Sequence, residues 1–199
     1  MKPEERKNAI SEAAAACFAD RGYHATQVSD IIAKAGVARG TFYLYFKSKH
    51  DIFDTILDEF ISTLQDQIRI VDLSSETSPA KQVRGNVQRV IDLMFSRPEI
   101  GRILFNEAVG LDPEIDDRLK DFYGSILGMI ERSISKGMGL GIVRRVDPRV
   151  AACIILGGFR EILVQVAIFK TSSVDRKTIV DSLIDVLLGG LSEKPFLAN

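Results

Sequence analysis

The sequence predicts an all-α fold, and three observations predict it. All six prolines, Pro3, Pro79, Pro98, Pro113, Pro148 and Pro195, stand between apolar-periodic segments and never inside one. Within those segments the apolar residues recur with a period near 3.6 rather than 2. No stretch shows the strict alternation of a half-buried strand. The chain has 199 residues, 46% apolar and 27% charged, enough to bury a substantial core without disulfide or metal staples. Cys17 and Cys153 lie far apart and outside any Cys-x-x-Cys pattern, which excludes a disulfide scaffold or cysteine-based zinc site and suits a reducing compartment.

Taken in order, the first helix spans about residues 4–20 and aligns Ile10, Ala13, Ala14, Cys17 and Phe18 on one face. Two short helices around a glycine turn follow within 26–49. A longer helix over about 49–71 carries Ile52, Phe53, Ile56, Leu57, Phe60, Ile61, Leu64 and Ile68. Ser78-Pro79, Asp112-Pro113 and Asp147-Pro148 then mark three helix starts. In each, the Ser or Asp oxygen accepts from a following N–H, and proline takes the first helical position, where its missing N–H costs nothing. The stripe Val83, Val87, Val90, Ile91 and Met94 follows Pro79, and Ile100, Ile103 and Leu104 follow Pro98. After Pro113 run Ile115, Leu119, Phe122, Ile126, Ile130 and Ile134, stopping at Gly137, Gly139 and Gly141, glycines suited to a C-cap.

The last two helices, about 149–169 and 176–191, differ from the rest. The former is apolar on nearly every side, and the latter carries Ile179, Leu183, Ile184, Val186, Leu187 and Leu188. Two such helices need more burial than one core face supplies, so a homodimer through a shared four-helix bundle is expected. No apolar h-region follows the charged start, and Arg160 and Glu161 interrupt 151–169. Neither a signal peptide nor a membrane span is therefore expected, and the protein is read as cytoplasmic.

Charge is uneven. Residues 1–50 hold eight Lys or Arg against five Asp or Glu, whereas the whole chain is at −1, so a basic segment precedes an acidic body. That bias suits contact with a polyanion. In the same segment, Thr26 is placed to cap a first short helix with Val28, Ile31 and Ile32 inward. Ala35-Gly36-Val37 makes the turn, with Gly36 at positive φ. In the second short helix Phe42 and Phe46 form the buried edge, leaving Arg39, Gly40, Thr41, Tyr43 and Leu44 outward. Such a face suits a major groove: glycine permits close approach, while Arg39, Thr41, Tyr43 and Tyr45 offer donors to base edges and phosphates. Ser48 is placed to cap the following helix with Asp51, flanked by Lys47 and Lys49, a second phosphate anchor.

The run Gly22-Tyr23, Thr26, Ile31-Ile32-Ala33-Lys34-Ala35-Gly36-Val37, Arg39-Gly40-Thr41-Phe42-Tyr43, Tyr45-Phe46 and Lys47-Ser48-Lys49 resembles the DNA-binding domain of TetR-family bacterial transcriptional regulators. The resemblance implies a three-helix helix-turn-helix DNA-binding domain, residues 1–48, and a helical ligand-binding and dimerisation body, residues 49–199. By the family pattern Thr26 and Gln27 contact the DNA backbone, Ala38, Arg39, Gly40, Thr41 and Leu44 face the bases, and Tyr43, Tyr45 and Lys49 hold phosphates. Two positions depart from it. Ala38 replaces a frequent Ser or Thr cap, and Leu44 replaces an aromatic or polar residue, making a thymine methyl its expected target.

The implied function is a ligand-released repressor that binds a pseudo-palindromic operator in double-stranded DNA as a homodimer. Its effector is expected to be a hydrophobic or amphipathic small molecule in a pocket within the body. Arg102, Asn106, Tyr123 and Arg160 are the polar candidates for that site, and Phe105, Phe122 and Phe159 the apolar ones. No cofactor, metal site or catalytic constellation is expected. The two histidines, His24 and His50, lie in the DNA-binding region without a Ser/His/Asp arrangement, and no phosphate-loop or H-E-x-x-H motif occurs. Asp112, Glu114, Asp116 and Asp117 read as first-turn acids favoured by the helix dipole. A helical protein-binding adaptor and a small helical enzyme remain the alternatives.

Overall fold

The computed structural model describes residues 3–72, 74–108, 110–170 and 174–191. Among them are nine α-helices: α1 (Pro3–Arg21), α2 (Val28–Ala35), α3 (Arg39–Tyr45), α4 (Lys49–Gln67), α5 (Pro79–Ser96), α6 (Pro98–Arg102), α7 (Pro113–Gly139), α8 (Pro148–Leu163) and α9 (Arg176–Leu191). A π-helical turn continues α6 over Ile103–Glu107 and another continues α8 over Val164–Ile168. None of the described helices is long and apolar enough to cross a membrane. Pro195 lies outside the described residues, as does the side chain of Leu188.

The three proline starts are capped as their residue types require. Ser78 Oγ accepts from Lys81 N at 3.4 Å, Asp112 Oδ1 from Ile115 N at 2.9 Å, and Asp147 Oδ1 from Val150 N at 2.9 Å. At the other end of α7, Gly141 takes φ +69 and Ile142 N–H reaches back to Gly137 O at 2.9 Å, satisfying a carbonyl the helix would otherwise strand. A Cβ on Gly137 would stand 2.7 Å from a Val143 methyl, so this glycine is required by packing rather than by φ.

The chain divides into two compact units. The first contains residues 1–63 and 97–118, the second 64–96 and 119–199. In the first, Ile10, Ala13, Ala14, Ala15, Cys17 and Phe18 are buried on α1, and the three alanines let α2 and α6 pack closely on it. Phe18 meets Phe53 of α4 edge-to-face at 5.3 Å, and Tyr23 meets the same ring at 4.9 Å. Each fully buried phenylalanine here stabilises the unit by about 1.5–3 kcal/mol. In the second unit α5 packs on α9, with Val90, Ile91 and Met94 buried on one and Ile179, Val180, Leu183 and Ile184 on the other.

Helix α4 ends four residues before the apolar period suggests. The Asn86 carboxamide pairs with the main chain of Arg69, accepting from its N–H at 3.0 Å and donating to its C=O at 2.7 Å. Arg89 Nε donates to Gln67 O at 2.9 Å. These bonds from α5 satisfy the chain end of α4 and draw the following residues out of helical geometry. Cys17 is buried as expected of an apolar thiol, and burial raises its pKa, whereas Cys153 is exposed on α8.

Candidate nucleic-acid interface

Helix α2 begins at Gln27, whose extended backbone (φ −105, ψ 155) makes it the N-cap. Asp30 Oδ2 accepts from Gln27 N–H at 2.9 Å, closing the first turn. Thr26, expected as the cap and as a DNA-backbone contact, is 1% exposed. Its hydroxyl donates to Gly22 O at 2.8 Å, with Cys17 O at 3.2 Å, so it ties the turn to α1 instead of facing outward. Gly36 ends the helix in the left-handed region, φ +65, where a β-carbon is disfavoured.

Helix α3 starts at Ala38, which offers no side-chain cap. Phe42 and Phe46 are buried, and this fixes the rotation of the short helix. Arg39, Gly40, Tyr43 and Leu44 then face solvent, with Tyr43 46% and Leu44 80% exposed. Thr41 and Tyr45 are half-buried at the edges of this face. The Arg39 guanidinium lies 5.9 Å from the Tyr43 ring centroid, which organises both side chains on one surface. An open groove beside it is lined by Gln27, Val28, Ser29, Ile32, Ala33, Gly36, Val37 and Arg39. Ser29, exposed at the start of α2, was not among the sequence candidates; its place two residues after the N-cap was the available signal.

Ser48 caps α4 as its position indicates. Its Oγ accepts from Asp51 N at 3.1 Å, while Asp51 Oδ2 accepts from Lys47 N at 2.7 Å. The Lys47 and Ser48 side chains are exposed. Lys49 differs from its expected role. Its Nζ donates to Tyr23 O at 2.8 Å and Thr26 O at 2.9 Å, with His24 O at 3.4 Å, and lies 4.3 Å above the Tyr23 ring. Burial lowers its pKa. The ammonium thus holds the α1–α2 turn through its main-chain carbonyls, a role beyond the phosphate contact expected of it.

The effector candidates fall in both units. Arg102 and Phe105 are half-buried in the first, and the Asn106 side chain lies outside the described residues. In the second, Phe122 is buried against Tyr123 at 5.3 Å between ring centroids, and Phe159 and Arg160 are half-buried. The Tyr123 hydroxyl accepts a hydrogen bond from Arg160; burial raises its pKa, against the guanidinium charge and that bond. Of the four polar candidates, these two are brought together.

Residues 10–56 match the family model described as bacterial regulatory proteins, tetR family. The fatty acid metabolism regulator protein of Bacillus subtilis is 25% identical over 190 residues, spanning 93% of this chain and 95% of its own length. The transcriptional repressor KstR2 of Mycolicibacterium smegmatis is 36% identical over 84 residues, 42% of this chain and 40% of its own. Among solved structures, the transcriptional regulator FadR from Bacillus subtilis in complex with stearoyl-CoA has a TM-score of 0.70 at 24% identity, covering 92% of this chain and 98% of that one.

Proposed function

Since the chain belongs to the tetR family of bacterial regulatory proteins, we propose that it is a ligand-released repressor that binds a pseudo-palindromic operator as a homodimer. The observation that carries this reading is the outward face of α3, where buried Phe42 and Phe46 leave Arg39, Gly40, Tyr43 and Leu44 exposed. Arg39 offers a bidentate donor to guanine or a phosphate, Tyr43 a hydroxyl to phosphate, and Leu44 an apolar surface to a thymine methyl. Ala38 and Thr41 flank these groups. Gln27, Tyr45, Lys47 and Ser48 supply backbone contacts around them, and Ser29 joins the set from the neighbouring groove. Residues 1–48 form the DNA-reading part and 49–199 the ligand-binding and dimerisation part.

Dimerisation uses the surfaces that α8 and α9 leave uncovered. Val150, Cys153, Ile154, Gly157 and Gly158 are exposed on α8, and Val186, Gly189 and Gly190 on α9. A Cβ on any of these four glycines would meet nothing within 4 Å, so none is needed to fold the subunit. They suit a second backbone approaching closely, in a bundle shared by two copies.

The effector is a hydrophobic or amphipathic molecule, and a fatty acyl thioester is the class favoured by the relatives' names and by the apolar majority of the candidate lining. It releases DNA by favouring a dimer geometry with the wrong recognition-helix spacing, to the extent of its difference in affinity for the two geometries. The protein acts in the cytoplasm, where the chromosome is, and performs no catalysis. Nuclease footprinting of the DNA upstream of its own gene tests the reading. Two protected half-sites about 34–36 Å apart, centre to centre, are expected. A single protected half-site, or none, would contradict it.

A further inference from the structure

His50, the second residue of α4, has a carboxylate at each ring nitrogen. Nδ1 lies 3.0 Å from Asp54 Oδ2 one turn along the same helix, and Nε2 lies 2.6 Å from Asp112 Oδ2, the N-cap of α7. A neutral imidazole has one N–H and can donate to only one of them, so both bonds together require the imidazolium. Asp112 is already committed through its other oxygen to Ile115 N, and Asp54 Oδ1 accepts from Arg118 at 2.6 Å. Both carboxylates are thereby held toward the ring. We propose that His50 is a proton-dependent clasp fastening α4 to the start of α7, and that its deprotonation loosens the DNA-binding helices and weakens operator binding.

Among the described residues, the charges that act on the ring are those of Asp54, Asp112 and Glu114. Asp54 and Asp58 stand on α4, with Asp58 taken by Arg118 at 2.8 Å. Glu114 and Arg118 stand on α7, and Lys49 and Tyr23 on the side of the α1–α2 turn. The bond to Asp112 raises the pKa of His50 against the opposing effect of burial, and the charges of Asp54, Asp112 and Glu114 add to the rise. The Ile115 N–H first, and then His50, hold the Asp112 carboxyl below its usual range. A histidine whose folded pKa is raised contributes stabilisation that is complete below its ordinary value and lost as pH rises through the folded one. The depressed Asp112 contributes above its ordinary value and is lost as pH falls through its lower folded value. The clasp is therefore closed from the carboxylate range up to the raised value of His50 and opens on the alkaline side. Its place explains its reach. The neighbouring residue Lys49 holds the turn that carries Thr26 and Gln27, so α4 moves only with the entrance of α2.

The operator readout rests on the DNA-binding reading; the ring titration does not. Long-range 15N–1H correlation of the two histidines across pH 6–9, assigned with His24→Gln, should show both His50 nitrogens protonated at neutral pH. The titration midpoint should fall in Asp112→Asn, which removes the largest cause of the rise. Operator affinity of the wild type should drop about threefold to tenfold between pH 6.5 and 8.5, a dependence that His50→Gln removes. The clasp is overturned by a His50 midpoint unchanged in Asp112→Asn. Its regulatory role is overturned if His50→Gln keeps the wild-type pH dependence. Absence of operator binding at every pH overturns the DNA-binding reading and the operator half of the proposal, while the ring titration still decides the clasp.

Discussion

Gly40 sits in a helical turn with no atom within 4 Å of where a Cβ would stand, and its φ lies outside the left-handed region. The fold has no use for a glycine there. Alanine should stabilise the subunit by about 0.5 kcal/mol, since glycine is the poorer helix former. A methyl group on the outward face should nonetheless weaken operator binding, so thermal midpoint and affinity should move in opposite directions. Gly36 is the contrast: at φ +65, Gly36→Val should cost about 1–2 kcal/mol of stability with open space around it, read as a lowered thermal midpoint. Arg39→Ala should weaken operator binding while shifting stability by less than about 0.5 kcal/mol. Tyr43→Phe should cost about 1–2 kcal/mol of binding through one phosphate bond, and a titration showing undiminished affinity in both would move the recognition face elsewhere. Gly36, Phe42 and Phe46 could be assigned from type and spacing alone, because φ preference and burial are local properties. Thr26 and Lys49 could not. Their partners are main-chain carbonyls of α1 and the α1–α2 turn, and a side chain that bonds such carbonyls looks in sequence like one that holds a phosphate.

Caps decide where the helices start, and each can be removed separately. Asp147→Ala should cost about 1 kcal/mol by stranding the Val150 N–H. Ala38→Ser should gain a similar amount at the uncapped start of α3, measured by denaturant midpoint. Gly137→Ala should cost about 1–3 kcal/mol of stability, read as a lowered denaturant midpoint, because its methyl must displace Val143. These starts were legible because proline and a preceding Ser or Asp act within four residues of each other. The early end of α4 was hidden. Its cause is Asn86, seventeen residues on in sequence, bonding the main chain of Arg69. The π-helical turn Ile103–Glu107 was hidden for another reason: one extra residue per turn leaves the apolar pattern of Ile100, Ile103 and Leu104 almost unchanged.

At the scale of the whole molecule, two readers joined by one body gain affinity by effective concentration, so dimerisation and operator binding should fail together. Ile154→Glu places a charge on the exposed face of α8, where no subunit packing is lost. It should give a folded monomer by sedimentation, with operator affinity down by about a hundredfold or more. Dimers that persist would relocate the interface. The DNA-binding claim itself is tested most directly by fluorescence anisotropy against DNA from upstream of the gene, beside a scrambled duplex, across a salt series. A preference for the upstream DNA of at least about a thousandfold is expected, with log affinity falling linearly against log salt by about 0.9 for each phosphate contacted. Equal binding to both duplexes, or none at low salt, would contradict it.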